Sequence, residues 1–324
     1  MLTEYRTRFP NYSTDAAHLE SFIREQLSFP ASYFVQLCGT HTETRRNGNK
    51  ETKHKITDFY IRINITYLLG GAGSGEVEFL PDNKCGYRGT IIPRLKPNTP
   101  ITLDEELEQD ELSTWCQKYV SDSSSIKSFT LKREIQNHDT KKLEQLLRSA
   151  IAETNYRGHL SIDFPKQHKK VVIYSPGTIN HWRMTVWIRW VFYLTFLWIF
   201  AWPVLFFLTS RYEVVKGIYK YADLPPDSDP NRKCKVMSEV AWFHRWESAI
   251  KRAAIGRMNC KDKDLDEEYR EATARADVRG EVMGRTPEIP RTGNTFADGA
   301  LGLLGQGLRV AEGFQSTWGW GADT

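Results

Sequence analysis

The sequence predicts an α+β fold: an N-terminal, mostly antiparallel sheet with helices, one transmembrane helix, and a helical, partly disordered C-terminal region. Three observations predict it. Alternating apolar and polar residues flank an Asn47-Gly48 turn, the signature of a β-hairpin. Amphipathic helical stretches lie on either side of further strand-like runs. Past the midpoint, residues 190–210 (WVFYLTFLWIFAWPVLFFLTS) carry no charge at all. The expected organisation is a soluble α+β domain over 1–180, a transmembrane segment over 185–210, a linker over 211–235, and a helical and Gly-rich region over 236–324.

In chain order, Ser13 or Thr14 caps a helix in which Leu19, Phe22, Ile23 and Leu27 share one face, stopped by Phe29-Pro30. Strands are expected over 33–44 and 55–69. In the second, Phe59, Ile61, Ile63, Ile65 and Tyr67 alternate with Asp58, Tyr60, Arg62, Asn64 and Thr66, the period of a sheet with one buried face. Short strands follow over 76–80 and 87–92, before Pro93, Pro97 and Pro100 break the chain. A helix over 103–120 begins rich in Asp and Glu, which suits the positive end of its dipole. A strand over 126–135 and an amphipathic helix through Leu143, Leu147 and Ile151 come next. Strands over 159–164 and 170–174 lead to the apolar run. This mixture of hairpins and helices is the α+β pattern.

At 1.5 Å per residue the apolar run makes a helix about 31 Å long, matching a hydrocarbon core of about 30 Å. Trp187, Arg189 and Trp190 stand at one end and Arg211 at the other, residue types that settle at the water–lipid boundary. Pro203 predicts a kink. A hairpin turning at 201–203 is the second reading of the same residues. Lys and Arg are too evenly distributed around the run to set its orientation, and the N-terminus lacks the apolar core of a signal peptide, which places the first domain in the cytosol.

After a Pro- and Asp-rich linker, residues 238–255 form an amphipathic helix bearing Trp242, Trp246, Ala249, Ile250 and Ala253. Such a helix either lies in a headgroup layer or packs on a protein surface. Residues 261–285 are highly charged, and 295–314 mix Gly with Leu, Val and Phe, an element expected to order on a membrane or partner.

Composition excludes several classes. The 324 residues are 40% hydrophobic and 26% charged, unlike a polytopic membrane protein. The balance of 44 basic and 40 acidic residues argues against nucleic-acid binding. Cys38, Cys85, Cys116, Cys234 and Cys260 form no CxxC pair or metal spacing, so they read as reduced thiols. Residues 70–75 (GGAGSG) lack the Gly-Lys-Ser/Thr ending and the following helix of a phosphate loop. His41, Glu43, His54 and Asp58 meet if the hairpin pairs in register, but their spacing fits no known metal site. No catalytic, cofactor-binding or metal-ligating residue is assigned.

The stretches GTHTETRRNGNKETKHKITDFYIRINITYLL and NTFADGALGLLGQGLRVAEGFQSTWGWGAD, with the apolar run between them, resemble a group of filamentous-fungal integral membrane proteins. The resemblance implies membrane attachment and brings no activity, cofactor or site residue. The expectation is a non-catalytic membrane-anchored protein whose partners are the bilayer and an unidentified protein. An enzyme with its site in the N-terminal domain and an accessory subunit of a transport or trafficking complex are the alternatives.

Overall fold

A computed structural model describes residues 4–47, 50–70, 75–95, 111–226, 228, 231–280 and 319–323. In chain order its elements are β1 (Glu4–Thr7), α1 (Asn11–Thr14), α2 (Ala16–Leu27), β2 (Ser32–Asn47), β3 (Lys50–Asn64), α3 (Thr66–Gly70), β4 (Glu76–Phe79) and β5 (Arg88–Thr90). There follow α4 (Glu111–Ser121), β6 (Lys127–Gln136), α5 (Thr140–Glu153), β7 (His159–Asp163), β8 (Lys166–Gln167) and β9 (Lys170–Tyr174). The last are α6 (Thr178–Met184), α7 (Val186–Leu194), α8 (Trp198–Leu208), β10 (Ser210–Lys220), α9 (Glu239–Ile255) and α10 (Glu267–Val278). The fold is α+β.

The chain forms two units, each built from separate stretches. Unit 1 comprises Met1–Ser32, Leu69–Gln136 and Lys166–Tyr221; unit 2 comprises Tyr33–Leu68, Asn137–Pro165 and Ala222–Thr324. The expected division before and after the apolar run does not describe this arrangement, because strands from both sides of the run share one sheet.

Unit 1 carries that sheet, in the order β1-β9-β6-β10-β4, with β5 also paired to β10. Its pairings are mixed: β9 is antiparallel to β6, and β4 and β5 to β10, whereas β10 lies parallel to β6 and β1 parallel to β9. One face is apolar. Phe129 and Leu131, Val171 and Ile173, and Tyr212 and Val214 pack there against Leu19, Ile23 and Leu27 of α2 and Leu112, Cys116 and Tyr119 of α4. The period of two along each strand sends Ser128, Thr130, Lys170, Val172, Arg211 and Glu213 to the other face. The N-cap of α2 is Asp15, which accepts from the Ala17 amide, rather than Ser13 or Thr14. Its carboxylate can reach that amide without breaking the preceding turn, α1.

The apolar run is not one helix. Among the described residues no helix is long and apolar enough to cross a membrane. The run divides at Thr195–Leu197, where Phe196 has φ of +57°. A left-handed aromatic residue costs about 1–3 kcal/mol, and no Gly marks the position. Pro203, expected to kink the run or turn it, lies inside α8.

Unit 2 pairs β3-β2-β7 in antiparallel order. The long hairpin runs past the expected strand ends to Asn47 and Lys50, which are opposite each other, so Asn47 closes a strand instead of forming the turn. Gly48 lies outside the described residues. Ile61, Ile63 and Ile65 are buried as the alternation predicts, but β3 ends at Asn64 and Tyr67 is exposed on α3. Helix α9, capped by the Ser238 side chain, packs on α5, α10 and β3. Trp242, Trp246, Ala249, Ile250 and Ala253 are all buried there, so this helix has no apolar stripe left for a headgroup layer. The Gly-rich element expected over 295–314 lies outside the described residues.

Candidate functional site

The geometry of unit 1 is decided at the start of β6. Tyr174, at the end of β9, is opposite Ser128, and Ser210, at the start of β10, is opposite Lys127. The chain therefore leaves the sheet and returns to it at the same end. Backbone hydrogen bonds close both sides of this root: the Ser175 amide donates to the Lys127 carbonyl at 3.0 Å, and the Ser210 amide to the Ile126 carbonyl at 2.9 Å. Asn180, fully buried, donates from Nδ2 to the Ser175 carbonyl and hydroxyl. Lys127 Nζ, also buried, donates to the carbonyls of Tyr119, Val120 and Asp122, capping the end of α4 beneath the root. Burial pulls this ammonium below the ordinary lysine range, and Asp122 offsets part of that shift.

Beyond the root, α7 and α8 bury no residue. Leu194 is 75% exposed and Phe200 74%, and Trp187, Trp190, Phe196, Trp202 and Phe207 are likewise exposed. So many exposed large apolar side chains in two successive helices are unusual for a folded chain in water. The four interface residues expected at the ends of a span lie in α7 and β10. Trp187, Arg189 and Trp190 belong to the half of α7 nearer α6, and Arg211 follows the return at Ser210. Arg211 donates to the Phe206 carbonyl in the last turn of α8 and lies over the rings of Phe206 and Tyr87.

Next to the root, the polar face of the sheet holds a cleft of about 160 Å³. Glu4 and Arg6 of β1, Lys170 and Tyr174 of β9, Arg183 of α6, and Arg211 and Glu213 of β10 line it. Arg183 stacks over the Tyr174 ring.

Unit 2 holds the polar cluster expected from the hairpin, in a different form. His41 Nδ1 and Asp58 Oδ1 are 2.8 Å apart, and the Tyr156 hydroxyl donates to Asp58 Oδ2 at 2.9 Å. Glu43 and His54 are opposite each other in register but turn to neighbours on their own strands, Glu43 to Arg45 and His54 to Thr52. Among the described residues there is no group of three His, Cys, Asp or Glu that could hold a metal ion. Asp58 is buried although strict alternation would expose it, because the register shifts there: Gly39 is opposite Phe59 and Thr40 opposite Thr57, leaving Asp58 as the extra residue of a β-bulge. Burial, then the bond to Asp58, pushes the Tyr156 hydroxyl well above its ordinary range, so it stays a proton donor.

Residues 319–323 complete this cluster. Trp320 forms a bridge with Tyr156, donates its indole N–H to the Thr154 carbonyl, and packs against Tyr156 and Phe59. Asp323 accepts from the Thr42 amide at 2.7 Å. Tyr156 and Trp320 could not be found from spacing, since both come from sequence remote from the hairpin.

The chain matches no protein-family model, and neither the curated proteins nor the solved structures contain a significant match to it.

Proposed function

We propose that this is a monotopic, non-catalytic membrane protein: residues 186–208 sink into one leaflet and return, and the α+β units present an interaction surface to a partner. The observation that carries the reading is the shared root of the apolar excursion, with both its ends on adjoining residues of β6. Helices of 9 and 11 residues reach about 14 and 17 Å, near half of a hydrocarbon core of about 30 Å. Their unburied aromatic and aliphatic side chains find in lipid the solvent they lack in water. All five cysteines are free, which fits exposure of the two units to a reducing compartment.

Flotation of the full chain with phosphatidylcholine vesicles tests this. Wild type rises with the vesicles, and Leu194→Glu/Phe200→Glu stays behind, because each charge costs about 3 kcal/mol within the hydrocarbon. Equal flotation of both proteins would refute the reading. Recovery of wild type only in a complex with other membrane proteins, and never on vesicles, would favour the accessory-subunit alternative.

A second reading, an enzyme with its site in unit 2, is favoured by one observation: a histidine oriented through Nδ1 by a buried carboxylate, as in acid–base pairs. Its test is His41→Ala/Asp58→Ala. An unchanged cellular phenotype in a folded double variant removes it.

A further inference from the structure

The cleft at the root has a charge pattern that the membrane reading alone does not use. Its carboxylates are engaged locally: Glu4 pairs with Arg6 at 2.8 Å and Glu213 with Lys132 at 2.7 Å. Lys170, Arg183 and Arg211 make no ion pair among the described residues. Arg183 is held by the Tyr174 ring, and Arg211 by carbonyl oxygens and rings, neither of which neutralises a charge. The hydroxyl residues Ser128 and Thr130 share the cleft, which at about 160 Å³ has room for about five water molecules. Four cations against two carboxylates line this space, and the three that make no ion pair, with two hydroxyl-bearing side chains, suit a phosphate ester.

Position decides which phosphate. Tyr174 and Arg211 flank the excursion on either side, so lipid around α7 and α8 puts the cleft at headgroup depth. We infer that Lys170, Arg183 and Arg211 form a binding site for the phosphate of an anionic phospholipid headgroup. This inference rests on the membrane reading, and it adds lipid selectivity to it.

The experiment compares flotation of the full chain on phosphatidylcholine vesicles and on vesicles doped with phosphatidic acid. Wild type binds both and gains affinity on the doped ones. Lys170→Gln/Arg183→Gln keeps its binding to phosphatidylcholine and loses about fivefold of that gain per cation removed. Lys53→Gln/Lys55→Gln, which removes two exposed cations from unit 2, keeps the gain. The inference is overturned if the cleft variant retains the full gain, or if both variants lose it equally. It is also overturned if the vesicle-free chain binds inorganic phosphate at the cleft and phosphatidic acid vesicles do not compete, which would make this a soluble-anion site. Failure of wild type to bind phosphatidylcholine at all would instead sink the membrane reading.

Discussion

The amides of Ser175 and Ser210 are held by neighbouring carbonyls, those of Lys127 and Ile126. The residues between them include the most apolar stretch of the chain, yet they begin and end at one point on one sheet. A strand order in which β6 lies between β9 and β10, antiparallel to the first and parallel to the second, makes this unavoidable. Under the proposed reading, insertion of residues 186–208 is a local excursion from unit 1, which does not need to be split to accommodate it.

The root should be sensitive to loss of its buried donor. Lys127→Met keeps the stem of the side chain and removes the ammonium that serves three carbonyls at the end of α4. Chemical denaturation should show a loss of about 2 kcal/mol, the cost of leaving buried acceptors unmet. A variant as stable as wild type would mean that water replaces the ammonium there.

The hairpin bulge makes a second demand. A Cβ on Gly39 would collide with the Phe59 ring, which lies across that glycine. Gly39→Ala should cost about 1–3 kcal/mol by overpacking and should release Asp58 from its buried position. The thermal midpoint of the variant, with the chemical shifts of His41, reports both effects.

How much of this was legible in the sequence depended on whether the signal was local. The period of β3 is enough to bury Ile61 and Ile63, and the Asn47-Gly48 pair locates the hairpin but not its register, in which Asn47 is a strand residue opposite Lys50. Asp58 was misplaced because a bulge depends on Phe59 meeting Gly39 across the ladder, and a one-strand pattern does not contain that meeting. The apolar run is legible in the sequence, but the place where it breaks is not. Length, hydropathy and Pro203 favour one kinked span, with a hairpin at 201–203 as the second reading, whereas the break falls at Phe196, which has no Gly or Pro to announce it. The return to the sheet is a property of strand order. Tyr156 and Trp320 were invisible for the same reason as the cleft: their partners are distant in sequence.

Within unit 2, Arg232 and Glu239 form a pair at 3.0 Å with little exposure, and the Asp139 amide donates to the same carboxylate. Burial alone would raise the Glu239 carboxyl, but the bonds from Arg232 and Asp139 outweigh it and hold it below its ordinary value of 4.5. A carboxylate depressed on folding contributes stability that is complete above its unfolded value and is lost as pH falls through the folded one. Wild type should therefore lose stability below about pH 4.5 partly through this group. Glu239→Ala should be destabilised by about 3 kcal/mol at neutral pH, with a shallower loss on acidification. Parallel pH profiles of the two proteins would contradict the assignment.

Tyr156 gives a separable prediction. Tyr156→Phe keeps the ring against Phe59 and Trp320 and removes the donor to Asp58. The expected cost is about 2 kcal/mol, typical of a hydrogen bond to a buried charge. A double-mutant cycle with Asp58→Asn should show that most of this cost belongs to the pair.

The most direct measurement of the membrane account uses the intact chain, tagged at each end, in sealed membranes exposed to protease. An excursion that enters and returns predicts that both tags are digested together or protected together. If one tag is digested while the other survives, residues 186–208 cross the bilayer once and the shared root at β6 does not exist in the membrane-bound protein.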